Sequence, residues 1–162
     1  MDGGNAGDFS VAQDDSIDAP PVAALLRRPA VLIRHEIMNG LHAAGFDDIL
    51  PAHLGVFQYP GPDGLRPGVL AARTRASKQA MNHLLHQLES SGYLHREPHP
   101  RDRRTRVVRL TDRGWAAAGV IRETALRVEA AWAEALGRDT YLQLRVALAR
   151  LEAILDTVPA RR

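Results

Sequence analysis

Apolar side chains recur at helical spacing in several separate stretches of the chain, and these stretches predict a mostly helical protein. In the first stretch, from Val22 to Gly45, apolar residues follow one another every three or four positions, as on one face of an amphipathic helix. Pro29 lies inside this stretch, so the helix either starts at Pro29 or is kinked there. A second, short helix is predicted over residues 49–59, and the turn-rich residues 60–64 follow it.

Two further helices are predicted between residues 67 and 92. Residues 67–74 predict a third helix that begins at a proline. Ser77 is expected to cap a fourth helix at its N-terminus, and Gly92 is expected to end it. The apolar face of the fourth helix is formed by Met81, Leu84, Leu85 and Leu88. Its opposite face consists only of hydrogen-bonding side chains, namely Gln79, Asn82, His83 and His86.

The pattern then changes to two short β segments and returns to helix. Residues 93–97 and 105–110 predict a hairpin with a polar tip at residues 99–104. Thr111 and Asp112 offer a cap for a long helix that should end near Leu136. A last helix over residues 140–158 has leucines close to heptad spacing, at Leu144, Leu148, Leu151 and Leu155.

Composition excludes several classes of protein. The 162 residues are 45% hydrophobic and 25% charged, which is ordinary for one soluble globular domain. Because the chain has no cysteine, a disulfide scaffold, a thiolate zinc site and a cysteine nucleophile are all excluded. No apolar run approaches the roughly 20 residues that a transmembrane helix needs. Residues 1–18 hold five Asp and no base, so we expect a disordered acidic tail rather than a signal peptide, and a cytoplasmic protein.

The net charge of +2 is unevenly distributed along the chain. Residues 66–113 contain ten Arg and one Lys against four acidic residues, a local net charge of +7. A basic block of this kind in a nearly neutral chain predicts an anionic partner for that block alone.

A short helix, a tight turn, an amphipathic helix and a β-hairpin, in that order, predict a winged helix-turn-helix. The fold class is therefore mostly α with a small β-hairpin wing. The fourth helix would enter the major groove of double-stranded DNA, where Gln79 and Asn82 can each hydrogen-bond an adenine edge. His83 or His86 can donate to guanine, while Ser77 and Lys78 at the helix start suit backbone phosphates.

The hairpin is the second basic element of the predicted interface. Four arginines within six residues repel one another unless phosphates or a narrow minor groove neutralise them: Arg101, Arg103, Arg104 and Arg106. We interpret Asp102 among them as a carboxylate that orients a neighbouring guanidinium through a charge-assisted hydrogen bond.

Several short motifs in this region resemble the MarR family of bacterial transcription regulators. They are Ser77-Lys78-Gln79-Ala80-Met81, Leu88-Glu89, Gly92-Tyr93-Leu94, Asp102-Arg103-Arg104-Thr105 and Leu110-Thr111-Asp112-Arg113-Gly114. The resemblance covers residues 20–158 and implies a homodimer, held by the first and last two helices, on a pseudo-palindromic operator. It also implies that Arg104 enters the minor groove with Asp102 bracing it, and that a small aromatic or phenolic ligand commonly releases the DNA.

With that resemblance, the chain divides into four predicted parts: an acidic tail at 1–18, an N-terminal dimerisation helix at 19–48, a winged helix-turn-helix at 49–113 and C-terminal dimerisation helices at 114–162. His53 and Phe57 share a face of the second helix near the family's ligand cleft, so a ligand-binding role is a hypothesis for them. Pro29 and the acidic tail depart from the family's pattern, and the lack of cysteine removes its thiol-oxidation mode of sensing.

The sequence offers little support for other classes of function. The seven histidines invite a metal hypothesis, but neither cysteine nor a carboxylate pattern accompanies them, so no metal or cofactor is predicted. The chain lacks a Gly-rich phosphate loop, a His-Glu-x-x-His motif and a Gly-x-Ser-x-Gly elbow, and we expect no enzyme. Two alternatives stay open: a non-specific architectural DNA-binding protein, and a winged helix whose basic wing binds an acidic protein.

Overall fold

The structure is a computed structural model, and it describes residues 20–58, 64–99 and 102–157, without the side chains of residues 102–104 and 156–157. The helices within these ranges are α1 Val22–Ala43, α2 Leu54–Phe57, α3 Pro67–Arg73, α4 Lys78–Ser90, α5 Asp112–Leu136 and α6 Arg138–Thr157. A 3-10 turn, Pro51–His53, precedes α2, and one antiparallel hairpin joins β1 Leu94–His99 to β2 Asp102–Leu110. This arrangement confirms the predicted fold class. The predicted acidic tail lies outside the described residues.

The first helix passes through its proline. It begins at Val22 and continues to Ala43, with Pro29 in its interior, so the alternative in which the helix starts at Pro29 is wrong. Gly45 follows the helix at a φ of +82°, a conformation that glycine adopts without steric cost, and this confirms the predicted end of α1.

The second helix is shorter than predicted. In place of one helix over residues 49–59, the chain forms the 3-10 turn and only four α-helical residues, Leu54–Phe57. The helix starts later because Ile49 is buried and Leu50 is extended, with the backbone N–H of Leu50 donating to Nδ1 of His53. Pro51 at the first position then begins the turn.

The predicted fourth helix forms as its pattern predicts. Ser77 caps α4 by accepting a hydrogen bond from the backbone N–H of Ala80 at 3.1 Å, and Gly92 ends the turn after α4 at a φ of +75°. Met81, Leu85 and Leu88 are buried in a single apolar cluster that also takes side chains from α1, α2, α3, β1, β2 and α5. This cluster takes side chains from both sides of the predicted domain boundaries. The division of the chain into four parts stays a prediction.

The hairpin strands are longer than predicted and leave a shorter tip. Leu94 pairs with Leu110 and Glu97 with Val107, and an irregularity after Pro98 brings His99 opposite Asp102. Residues 102–104, which the sequence pattern assigns to the tip, therefore have strand backbone.

A short third segment joins the hairpin. The N–H and C=O groups of Leu65 hydrogen-bond the C=O and N–H groups of Val108 at 3.1 and 2.8 Å. Gly64 precedes it at a φ of +72°, and a Cβ there would lie 2.7 Å from the Val108 carbonyl oxygen, so only glycine fits. The sequence pattern, which indicated only a turn at this point, did not predict the bridge.

Two helical surfaces expose apolar side chains among the described residues. On α6 the predicted leucine seam, formed by Leu144, Leu148, Leu151 and Leu155, is exposed, and among the described residues of this helix Tyr141 alone is buried. The first half of α1 exposes a second set, comprising Val22, Leu25, Leu26, Val31 and Leu32. Among the described residues, no helix is both long and apolar enough to cross a membrane.

Candidate nucleic-acid interface

The polar face of α4 is open to solvent. Ser77 and Lys78 at its start are exposed, and so are the four side chains of the predicted reading face, Gln79, Asn82, His83 and His86. The Ser77 oxygen is occupied as the cap acceptor, but its O–H remains a donor for a phosphate. The structure thus brings six of the predicted DNA-binding residues onto one exposed surface.

The wing is described only in part. Arg106 is exposed, and its Nη1 donates to the backbone oxygen of Arg96 at 3.5 Å. Arg101 lies outside the described residues. Asp102, Arg103 and Arg104 lie in β2, where the structure describes their backbone but not their side chains. The minor-groove role of Arg104 and the bracing role of Asp102 therefore stay predictions.

Behind the wing, an ion pair links its two strands. Arg109 Nε donates to Glu97 Oε1, and His95 Nε2 lies 3.4 Å from Glu97 Oε2. The hydrogen bond from Arg109 holds the pKa of Glu97 below its usual range. The carboxylate therefore stays charged, and it balances part of the positive charge of the wing.

Sequence reasoning missed a bridge between α4 and the wing. Arg96 of β1 forms an ion pair with Glu89, with Nε 3.3 Å from Oε2, and its backbone N–H donates to Glu89 Oε1 at 3.2 Å. Its Nη2 donates to the backbone oxygen of Asn82 at 3.2 Å, and its Nη1 donates to Asn82 Oδ1 at 3.4 Å. The only sequence signal for this bridge was an arginine and a glutamate of opposite charge on neighbouring elements of the basic block.

A second missed cluster joins three segments at the base of the wing. Arg113 Nη2 donates to Asp48 Oδ2 at 3.2 Å and to the Tyr93 hydroxyl at 3.0 Å, while Nη1 donates to the Ser91 carbonyl at 2.6 Å. The Arg113 guanidinium also lies 4.3 Å from the centre of the Tyr93 ring, and the Tyr93 hydroxyl donates to Asp48 Oδ1. The cluster fixes α5 against the loop after α1 and against the turn after α4.

Both acids of this cluster titrate abnormally. Burial and the hydrogen bond to Asp48 raise the pKa of Tyr93 to about 12. For Asp48, burial alone would raise the pKa, but the hydrogen bond from Tyr93 and the charge of Arg113 outweigh it and lower the pKa below 3.8. The cluster is therefore an ionised carboxylate with a neutral phenol and a guanidinium at neutral pH.

A cavity of about 640 Å³ lies beside the 3-10 turn, between α1, α2, α3 and α5. Its walls are mostly apolar, with Ile33, Ile37 and Leu54 among them, and two guanidinium-bearing residues, Arg34 and Arg73, contribute positive charge. Such an apolar hollow with a few convergent polar groups is typical of a small-molecule site.

The two predicted ligand residues lie behind this cavity rather than on its wall. His53 is 3% exposed, and both ring nitrogens are occupied, Nδ1 by the Leu50 N–H and Nε2 by Gln87 Oε1, each at 3.1 Å. Phe57 is 5% exposed and packs edge-on against Tyr93 at a centroid distance of 6.0 Å. These internal partners turn both side chains toward the core. A direct ligand contact by either residue stays a prediction.

A helix-turn-helix followed by a basic hairpin, with an exposed polar face on its second helix, defines a winged helix-turn-helix protein. Residues 54–105 match the sequence model of the MarR family. This match covers most of the winged helix-turn-helix, and it confirms the resemblance to the MarR family that the motifs carry. No curated protein matches the chain in sequence.

Solved structures share the fold over most of the chain. A transcriptional regulator from Thermotoga maritima is 25% identical, with 84% of this chain and 94% of that one covered at a TM-score of 0.54. A MarR family protein of Mycobacterium tuberculosis in complex with salicylic acid is 24% identical, with 83% and 98% covered at a TM-score of 0.61. The MepR mutant of S. aureus bound to an oligodeoxyribonucleotide is 18% identical, with 85% and 99% covered at a TM-score of 0.52.

Members of the MarR family are transcriptional regulators rather than enzymes, which confirms the prediction that this chain does not catalyse a reaction. The chain is a DNA-binding transcriptional regulator of the winged helix-turn-helix class.

Proposed function

We propose that the protein is a homodimeric, sequence-specific repressor that binds a pseudo-palindromic operator. A small aromatic acid releases the protein from this DNA. The observation that carries this proposal is the exposed polar face of α4, which stands beside the basic hairpin in a MarR-family fold. An α-helix fills the major groove, and its outer face must then donate and accept hydrogen bonds. In this proposal the protein acts in the cytoplasm, where the operator is accessible.

In this proposal α4 binds the major groove of the DNA and the wing binds the minor groove and the backbone. Gln79, His83 and His86 contact base edges together with Asn82, while Ser77 and Lys78 hold phosphates at the helix N-terminus. On the wing, Arg104 enters the minor groove and Asp102 braces it, and Arg101, Arg103 and Arg106 contact the backbone. The S. aureus relative bound to an oligodeoxyribonucleotide supports this mode of binding.

The exposed apolar faces of α1 and α6 support the homodimer. Leu148 and Leu151 of α6 are 38% and 40% exposed in the single chain, and their seam has the spacing with which helices pack against each other. A twofold dimer would place two copies of α4 about 34 Å apart, so operator half-sites would be centred roughly 10 bp apart.

The cavity beside α1 supports the effector. Arg34 and Arg73 suit a carboxylate through charge-assisted hydrogen bonds, and the apolar walls suit an aromatic ring. The M. tuberculosis relative in complex with salicylic acid supports this class of ligand. A ligand bound between α1 and the winged helix-turn-helix would change the distance between the two copies of α4 in the dimer.

The test of DNA recognition is a footprint on the DNA that flanks the protein's own gene, followed by affinity measurements on the protected site and on random DNA. Neutralisation of six to ten phosphates should lower the affinity about 10³–10⁵-fold between 50 and 200 mM salt. Arg104→Ala should weaken operator binding and leave the dimer intact. Gln79→Ala should erode discrimination against random DNA by about 1–3 kcal/mol.

Three outcomes would contradict this assignment. A strong salt dependence with little preference for the protected site would indicate an architectural DNA-binding protein. Absence of DNA binding even at low salt would indicate a protein-interaction winged helix. Unchanged operator affinity in Arg104→Ala would refute the minor-groove contact.

The effector is tested by titration of salicylate and related aromatic acids into the complex with the protected DNA. We expect release by at least one acid, and a weaker response in Arg34→Ala than in the matched variant Arg28→Ala, which removes an exposed α1 arginine that is not among the residues lining the cavity. Failure of a broad panel of acids would contradict effector release without affecting the assignment of DNA binding.

A further inference from the structure

The Arg96 side chain of β1 reaches across to α4 and contacts the predicted base-reading residue Asn82. Two donors of one guanidinium bind this residue, Nη2 at the backbone oxygen at 3.2 Å and Nη1 at the side-chain oxygen Oδ1 at 3.4 Å. Because the guanidinium is planar and its donors form a rigid fork, the contact at the backbone oxygen places the guanidinium and the contact at Oδ1 orients the amide of Asn82.

Arg96 is itself held in place from three directions. Its Nε lies 3.3 Å from Glu89 Oε2, and its backbone N–H donates to the other oxygen of the same carboxylate. Its strand position pairs with Val108, and its backbone oxygen accepts from Arg106. The side chain is only 22% exposed. The guanidinium therefore does not move freely in solvent, and it constrains Asn82 before any DNA is present.

This contact changes what Asn82 offers to a base. Bidentate recognition of adenine needs the amide oxygen as acceptor for the adenine amino group and the amide N–H as donor to N7. In this structure one of the two lone pairs of the oxygen accepts from Arg96, and the guanidinium charge beside it disfavours a second donor such as the adenine amino group. The NH₂ group of the same amide can only donate. In the major groove guanine presents two acceptors, O6 and N7, and no donor.

We propose that Arg96 is a specificity-determining positioning residue that holds Asn82 as a hydrogen-bond donor and directs it to guanine instead of adenine. This inference rests on the proposed function, since it assumes that α4 lies in the major groove. It replaces the bidentate adenine contact expected from the residue type alone, and it leaves that contact to Gln79, an exposed residue of the same helix.

The test is selection of bound sites from a randomised DNA library by the full-length protein and by three variants: Asn82→Ala, Arg96→Ala and the double variant. The wild type should select guanine at one position of each half-site, and Asn82→Ala should lose that selection. Arg96→Ala should change the ratio of guanine to adenine at the same position by roughly tenfold in favour of adenine, within the range that one base contact provides.

The double variant separates positioning from general support of the wing. If Arg96 acts through Asn82, its removal in the Asn82→Ala background should leave the base profile unchanged, although the affinity can fall. Arg109→Ala, which breaks the Glu97 ion pair on the same hairpin, is the matched control and should not alter the guanine-to-adenine ratio. Arg96→Gln, which retains a long side chain in β1 but lacks the fork, replaces Arg96→Ala if circular dichroism shows that the alanine variant is unfolded.

The outcomes distinguish this inference from the function on which it rests. A wild-type selection of adenine at the Asn82-dependent position, or a guanine selection that Arg96→Ala and Arg96→Gln leave unchanged, would overturn the inference alone. A wild-type protein that selects no sequence would overturn the proposed function and the inference with it.

Discussion

The glycine in the first turn of α5 allows the closest backbone approach that we find around the wing. A Cβ built on Gly114 would lie 2.0 Å from the carbonyl oxygen of Tyr93 and 3.1 Å from Cβ of Leu110. Carbon and oxygen atoms without a covalent bond approach to about 3.3 Å, so alanine at this position would force the two segments apart by more than 1 Å. The same carbonyl accepts from the N–H of Thr111 at 3.0 Å, and the displacement would disturb that bond.

The expected cost of Gly114→Ala follows from three contributions. Overpacking costs about 1–3 kcal/mol, and a weakened hydrogen bond costs about 1 kcal/mol. Against these losses, alanine stabilises a helix by at most about 1 kcal/mol relative to glycine. We therefore expect a net loss of about 1–3 kcal/mol in the free energy of unfolding, or a fall of roughly 2–12 °C in Tm for a chain of this length.

Gly119→Ala on the same helix is the matched control. Among the described residues, no atom lies within 4 Å of a Cβ built at Gly119, so this variant should be as stable as the wild type or up to about 1 kcal/mol more stable. Both variants are unfolded with urea at one protein concentration, because dimerisation makes stability depend on concentration, and helix content is followed by circular dichroism. Equal stability of the two variants would refute the reasoning from the close approach.

Three further predictions test the cluster, the cap and the seam. The folded state keeps the Tyr93 proton up to about pH 12, whereas an unfolded tyrosine loses its proton near pH 10. The free energy of unfolding should therefore fall as the pH rises between these values. In Tyr93→Phe the urea midpoint should not show this fall with pH. Ser77→Ala should cost about 1 kcal/mol in urea unfolding, because the backbone N–H of Ala80 loses its acceptor, and an unchanged midpoint would argue against the cap. Leu148→Glu should shift the protein from dimer to monomer in light scattering, while the exposed α6 variant Gln143→Glu should not; a persisting Leu148→Glu dimer would exclude the seam from the interface.

The pattern of residues along the chain was sufficient for the local elements. The Ser77 cap, the apolar face of Met81, Leu85 and Leu88, and the stop at Gly92 are each set by neighbours within one helix, and all are present as predicted. The same holds for the Thr111 cap of α5, whose hydroxyl accepts from the Gly114 N–H at 3.1 Å. The exposed reading face of α4 follows from the same periodicity, because burial of one face of a helix leaves the other to solvent.

Where local preferences conflicted, long-range packing decided the outcome. The second helix was shortened because Ile49 and His53 found their partners elsewhere, in the core and at Gln87. Propensity is weak compared with the burial of an apolar side chain, so the pattern alone placed the start and the end of this second helix wrongly.

The amino-acid order by itself determined which residues of this protein could bind DNA, since charge, hydrogen-bonding chemistry and helical periodicity are properties of neighbouring positions. Only the tertiary structure decided which of those groups are already engaged. Asn82 and Arg96 lie 14 positions apart along the chain. Tyr93 lies 45 positions from its partner Asp48 and 20 positions from its partner Arg113. Hydrogen bonds between such distant positions depend on distances of a few ångströms, and those distances exist only after the core has folded.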